Sequence, residues 1–266
     1  VSLIDFTLEM ADQTNPAIGA EMKILVLNAS PRREKGNTHR ITKAFLEGAV
    51  SAGADAHTVF LYDKRIGPCL GCFHCWVKEP GKCVLKDDMG ELLMSLASSD
   101  VCVFATPLYF FGMTAQMKLF VDRMIPLALP FVEIEDGHCT HPVRPGRRLS
   151  SMVVISNCGF HELDNFDEMM SHFCTIARHA HLEFAGALLR PHGELLPFAE
   201  SRMPQEVQRV YEAARRAGVE LVETGRISQE SQQEVARELL PLEAFVKGAN
   251  LAFQRMIKEN ERRNGQ

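Results

Sequence analysis

No hydrophobic run in this 266-residue sequence is long enough to cross a bilayer. The longest apolar stretch, around Ile125–Ile134, is short and is interrupted by Pro126 and Pro130, so no membrane partner is expected. Basic residues are outnumbered: 29 Lys and Arg against 34 Asp and Glu give a formal net charge of -5. No basic stripe is present that would release counterions from a phosphate backbone, so nucleic acid is not an expected partner either. The first basic residue is Lys23, after Asp5, Glu9, Asp12 and Glu21. A secretory leader needs a positive start and a longer apolar run, so a cytoplasmic protein is expected. Internal repeats and low-complexity segments are missing, and no acid–base pair or nucleophilic triad stands out. What remains is a chain with 46% hydrophobic residues, enough for a sizeable core.

The stretch Lys23–Thr38, KILVLNASPRREKGNT, organises that core. Ile24-Leu25-Val26-Leu27 has no polar alternation, as a buried parallel strand requires. The chain then turns through Ser30, Pro31 and Gly36 and enters a helix at Asn37-Thr38. Free amides of such a loop and of the first helical turn converge on one spot, and the helix dipole favours an anion there. Ser30, Asn37 and Thr38 add side-chain donors, and Arg32 or Arg33 adds charge. The Lys-Ser/Thr pair of a Walker A loop is lacking, and so is G-x-G-x-x-G. A loop for a single phosphate is expected.

Along the chain, residues 1–21 read as an N-terminal extension. Asn37–Gly53 reads as a helix and His57–Tyr62 as a second strand. Residues 66–86 form a cysteine-bearing loop. Asp87 or Asp88 caps a helix with an apolar face of Met89, Leu92, Leu93 and Leu96. Val101–Ala105 is a third strand, the loop Thr106–Thr114 follows, and a helix runs to about Ile125. Residues 126–148, rich in proline, read as an insertion. Leu149–Ser156 and Glu183–Leu189 are the last strands, with Leu163–His179 as a helix between them. Five β–α repeats predict a doubly wound parallel sheet, and its ligand belongs at the carboxyl ends of the strands. Over residues 192–266 two helical stripes appear. One contains Val207, Val210, Tyr211 and Ala214; the other contains Leu242, Phe245, Val246, Ala249, Phe253 and Met256. Each covers either its own domain or a neighbouring subunit.

Three motifs in order carry a resemblance: S-P-R-x-x-x-G-N-T after the first strand, CLGCFHCW, and TPLYFFGMTAQMKLFVDR. Together they resemble the flavodoxin-like NAD(P)H-dependent FMN reductases, in the branch of the iron–sulfur flavoproteins. The resemblance covers roughly residues 22–191. It implies an α/β, flavodoxin-like sheet of order 2-1-3-4-5, with residues 192–266 as a helical C-terminal extension. It also implies FMN held by Ser30, Arg32, Gly36, Asn37 and Thr38 at the phosphate. Pro107, Leu108, Tyr109, Phe110, Phe111 and Gly112 are implied as a flat wall for the ring, and Asn157 and Gly159 as a third approach. On composition alone the aromatic run would be plain core. The implied activity is an FMN-dependent oxidoreductase, with NAD(P)H as co-substrate and a quinone, flavin or other small molecule as acceptor. The family's reductases commonly dimerise, so a homo-oligomer is expected.

Cys69, Cys72, Cys75 and Cys83 read C-x2-C-x2-C-x7-C, with Pro80-Gly81 as a turn before the last. In a reducing compartment this spacing points to metal or redox chemistry. The resembling iron–sulfur flavoproteins hold a [4Fe–4S] cluster on a compact motif of this type, usually with a shorter final spacing. The alternative function is therefore an electron carrier between FMN, a cluster and a ferredoxin-like partner. Reduced thiols near an interface, or a redox disulfide, are the other readings of the loop. Lys118 and Asp122 are expected to pair at i, i+4, and no catalytic role falls to them or to Arg123.

Overall fold

The structure is a computed structural model that describes residues 22–264, so the extension expected over residues 1–21 lies outside the described residues. Five strands build one sheet: β1 (Lys23–Asn28), β2 (Asp55–Phe60), β3 (Val101–Pro107), β6 (Ser151–Asn157) and β7 (Glu183–Arg190). Their order is β2-β1-β3-β6-β7 and every pairing is parallel. This is the flavodoxin-like order, with a hairpin inserted between the third and fourth strands of the sheet. That hairpin, β4 (Glu133–Glu135) with β5 (His138–Thr140), lies in the segment expected only as an insertion.

Side chains alternate across the sheet because successive Cβ atoms point to opposite faces. On β1, Ile24 and Val26 enter one apolar cluster, whereas Leu25 and Leu27 enter the other. The first face is covered by α1 (Asn37–Ser51), α6 (Leu196–Arg202), α7 (Pro204–Thr224) and α8 (Gln229–Ala236). The second is covered by α3 (Met89–Ser98), α4 (Ala115–Asp122) and α5 (Asp167–His179). A single helical turn, α2 (His74–Val77), interrupts the cysteine loop. Phe45 of α1 is wholly buried, and truncating such a side chain costs about 3–5 kcal/mol.

Helices of the C-terminal extension pack onto the core of the sheet. Val207, Val210, Ala213, Ala214, Ala217 and Leu221 of α7 share one core with β1, β3, β6 and α1. Two glycines make the α1–α7 approach: a Cβ on Gly48 would collide with the Arg215 carbonyl, and one on Gly218 with the Phe45 carbonyl. The first tail stripe therefore covers its own domain. Only α9 (Leu242–Asn264) stands apart, and none of its described residues is buried. Its root is held where Phe245 meets the rings of His161 and His192, each 5.8 Å away between centroids.

Two element boundaries differ from expectation. The second strand ends at Phe60, and Leu61–Asp63 is a 3-10 turn instead of strand. The helix after the aromatic loop ends at Asp122, and Ile125–Leu127 forms a separate 3-10 turn at Pro126. Among the described residues, no helix is long and apolar enough to cross a membrane.

Candidate functional site

At the carboxyl ends of β1, β3 and β6 a cleft of about 220 Å³ opens. Its lining joins nine of the thirteen cofactor residues expected from sequence: Ser30, Arg32, Asn37, Thr38, Pro107, Leu108, Tyr109, Asn157 and Gly159. Cys158, from the same strand-end turn as Asn157 and Gly159, and Glu194 complete the lining, and neither is among those thirteen.

One wall is the β1–α1 loop. Asn28 Oδ1 accepts from the Ser30 amide at 2.9 Å, which turns the chain, and a 3-10 turn over Arg33–Lys35 leads to Gly36. Gly36 is outside the lining but shapes it, because a Cβ there would collide with Ser30 Oγ. At the N-terminus of α1 no side chain caps the helix. Among the helices with described caps, side chains cap only α4, through Thr114, and α8, through Ser228, so α1 shares this trait with α2, α3, α5, α6 and α7. The first-turn amides of α1 are thus left for an anion, with the dipole favouring it. Asn37 is 3% exposed and its Nδ2 has no partner, which is costly unless a ligand accepts from it. Arg32, not Arg33, is the arginine of the cleft: Arg33 turns away to Asp63 and the Tyr62 carbonyl.

A second wall follows β3. The Leu108 amide donates to the Asn157 carbonyl at 2.9 Å, and Thr114 donates to the Ala29 carbonyl at 3.2 Å, so three strand ends are fastened together. Tyr109 and Gly112 exchange two backbone hydrogen bonds, 2.9 and 3.1 Å, around a two-residue tip. Both tip residues, Phe110 and Phe111, are left-handed, with φ of 47° and 62°. Each such residue costs about 1–2 kcal/mol, and strain of this kind gathers at functional sites. Phe110 is fully exposed, and Phe110, Phe111 and Gly112 lie beyond the cleft lining, at its rim.

The third wall is Asn157–Gly159 with the loop after β7. Asn157 Oδ1 accepts from the Thr38 hydroxyl. Behind it lies Arg190, wholly buried, whose donors go to the Pro191 and Val235 carbonyls and to His192. Among the described residues no carboxylate pairs with it. Burial lowers its pKa to about 10, which leaves it charged at neutral pH. His192 stacks on His161 at 5.0 Å, and burial, with Arg190 and His161 nearby, pushes its pKa down to about 3.

In the loop region after β2, Cys69, Cys72, Cys75 and Cys83 line one small apolar hollow with Ile125. Cys75 is buried, Cys83 half-buried, and Cys69 and Cys72 exposed. Burial raises the Cys75 pKa, and the charges of Cys83, Cys72 and Cys69 raise it further. Among the described residues, no three such side chains converge on a single ion. That arrangement suits a lone metal ion poorly. In a cubane each thiolate takes a different iron, so the thiols stand further apart, and the four-thiol donor set fits in kind. Trp76 sits beside the loop, stacked on Phe73, with its indole N–H shared between the Ile125 and Ala128 carbonyls. Arg123 is buried beneath the same loop. It donates to both oxygens of Asp87, at 2.8 and 3.0 Å, and to the Gly67 carbonyl at 2.7 Å. Lys118 pairs with Asp122 as expected.

Comparison with known proteins bears on the first cleft. Residues 22–133 match the family model for NADPH-dependent FMN reductase. That match spans less than half of the chain, and over those residues the chain is similar to that family. The chain is also similar to proteins named iron–sulfur flavoproteins. It is 37% identical over 110 residues to an iron–sulfur flavoprotein of Methanocaldococcus jannaschii, covering 41% of this chain and 55% of that protein. A second, from Archaeoglobus fulgidus, is 36% identical over 138 residues, covering 52% of this chain and 56% of that protein. The chain thus spans about half the length of these curated relatives. Among solved structures, an FMN-dependent NADH-azoreductase from Bacillus anthracis, in complex with FMN, matches with a TM-score of 0.57 at 18% identity. That match covers 76% of this chain and all of the azoreductase, and it shows the shared fold.

Proposed function

We propose that this protein is an FMN-dependent NAD(P)H oxidoreductase that passes electrons to a small acceptor such as a quinone or a flavin. The observation that carries this reading is the uncapped N-terminus of α1 with the unpartnered, buried amide of Asn37 beside it. A phosphate monoester supplies the acceptor that this donor set lacks. Ser30, Asn37 and the α1 amides would bind the phosphate. Pro107, Leu108 and Tyr109 would flank the rest of the cofactor, with Phe110 and Phe111 at the rim. Asn157 and Gly159 would close the third side. FMN, when bound, supplies the hydride-accepting and electron-passing chemistry. The side chains around it bind and orient, which agrees with the lack of an acid–base pair. Reconstitution with FMN followed by steady-state oxidation of NADH and of NADPH tests the reading. Bound FMN without turnover of either nucleotide refutes the enzyme and leaves a flavin-binding protein.

A second reading rests on the four thiols around one hollow and on the names of the curated relatives. Here Cys69, Cys72, Cys75 and Cys83 would hold a four-iron cluster, and electrons would pass between FMN and a ferredoxin-like partner. Anaerobic preparation should then give about four iron and four sulfide per chain, and Cys75→Ala should abolish both while FMN stays bound. Full FMN with no iron refutes it. The exposed apolar residues of α9, Leu242, Val246, Phe253 and Met256, support a homo-oligomer. Light scattering that shows a monomer at every working concentration refutes that assembly.

A further inference from the structure

The arginine of the phosphate loop is already occupied. Arg32 donates through Nη2 to Glu194 Oε1 at 2.7 Å and through Nη1 to Oε2 at 3.0 Å, a two-pronged pair of the geometry that suits guanidinium and carboxylate best. The pair spans the cleft: Arg32 comes from the β1–α1 loop and Glu194 from the loop after β7, and both line it. Glu194 is held there by its backbone. The preceding Gly193 donates its amide to the Cys158 carbonyl at 2.7 Å, and a Cβ on it would come within 2.8 Å of Asn157. His192, one residue earlier, is left-handed at φ 40°. A loop so constrained places Glu194 at the mouth of the cleft, where its side chain and that of Arg32 are each about half exposed.

Two consequences follow for a bound anion. Arg32 and Glu194 cancel, so the charged side chains of the lining sum to zero. The first phosphate is then served by the neutral donors Ser30 and Asn37 and by the α1 dipole. A second phosphate finds no free cation in the lining. It must either displace Glu194 from Arg32, breaking both bonds, or lie beside the carboxylate.

We infer that Glu194 is a specificity-determining residue that limits this cleft to ligands with a single phosphate and turns away pyrophosphate-linked dinucleotides. This deepens the FMN reading above and rests on it. Glu194 acts by charge on what the cleft accepts and takes no part in the reaction. A pair that merely tethered two loops would weaken or strengthen all flavins alike.

The test compares the full-length apoprotein with Glu194→Gln, using quenching of flavin fluorescence to measure binding of riboflavin, FMN and FAD. Removing one unit charge a few ångströms from the second phosphate should cut the ratio of the FAD to the FMN dissociation constant by about tenfold at low salt, and by less at high salt. Riboflavin, which carries no phosphate, should change less than about twofold, because no charge pair is involved. An unchanged FAD-to-FMN ratio in a protein that binds FMN overturns the role of Glu194 alone. Failure of the wild-type chain to bind any flavin overturns the FMN reading and this inference together. Should Glu194→Gln fail to fold, Glu194→Ala removes the same single charge, leaves Arg32 in place and carries the same comparison.

Discussion

Thr38 donates its hydroxyl proton to Oδ1 of Asn157, a buried hydrogen bond between residues 119 positions apart. It ties the first turn of α1 to the loop after β6, two walls of one cleft. A hydroxyl has one proton to give, so Thr38 has none left for a phosphate. Two of the three side-chain donors expected at the phosphate therefore separate in role. Thr38 fixes the cleft, and Asn37 keeps an unused amide for the ligand.

From this, Asn37→Ala should weaken FMN binding by about 1–3 kcal/mol with little loss of stability, since no protein partner is orphaned. Thr38→Ala should do the reverse. It leaves Asn157 Oδ1 buried without a donor, lowering stability by about 1–3 kcal/mol and FMN affinity by less. Titration calorimetry and urea unfolding on the same variants separate the effects. Equal losses of FMN affinity would contradict the assignment.

The pair of Arg123 and Asp87 should be structural. Their side chains are only 1% and 8% exposed. Breaking a buried pair from one side costs about 3–5 kcal/mol, so Asp87→Ala should unfold at markedly lower urea than wild type. Burial works against the Asp87 carboxylate, but hydrogen bonds from Arg123, Gly67 and Met89 outweigh it and hold its carboxyl below the usual range. The folded state thus binds fewer protons than the unfolded one. The stabilisation is present above the unfolded pKa of about 3.9 and is lost as pH falls toward the folded value.

His192 sets a different pH window. Its folded pKa of about 3 lies below the unfolded value. The unfolded chain takes up the proton first, from about pH 6.5 downward, so stability should fall with acidification from there to about pH 3. His192→Gln should flatten that part of a melting-temperature profile. A slope unchanged in the variant would assign the acid limb to other groups.

Much of the sheet was legible because its central strands are continuous apolar runs, as strands covered on both faces must be. The edge strand β2 slid by two residues since Tyr62 extends the apolar run while the chain already turns at Leu61. The β4–β5 hairpin does carry a local signal in the sequence. Asp136-Gly137 has φ of 50° and 76°, the Asp-Gly tip of a two-residue hairpin turn, inside a segment otherwise marked by proline. In the cleft, residues on motifs were found, and Glu194 was not. It sits on no motif, and its pairing with Arg32 exists only because β7 ends beside β6 in the folded chain. Arg123 and Asp87 were invisible as partners for the same reason: nothing local joins them.

The glycine crossing of α1 and α7 yields a sharp mutational prediction. Gly218→Ala puts a methyl group into the Phe45 carbonyl of the facing helix, where no flexible side chain can give way. Overpacking of this kind typically costs about 1–3 kcal/mol, and backbone against backbone belongs at the upper end. Urea midpoints should drop accordingly. A midpoint within error of wild type would mean the helices slide apart at no cost.

That crossing also bears on how the protein is made. The matched family region ends at residue 133, yet the helix that covers α1 begins only at Pro204. During synthesis the sheet face that α1 and α7 share is covered only in part, by α1, until α7 has left the ribosome. Nascent chains halted before Pro204 would present that apolar face to chaperones and proteases.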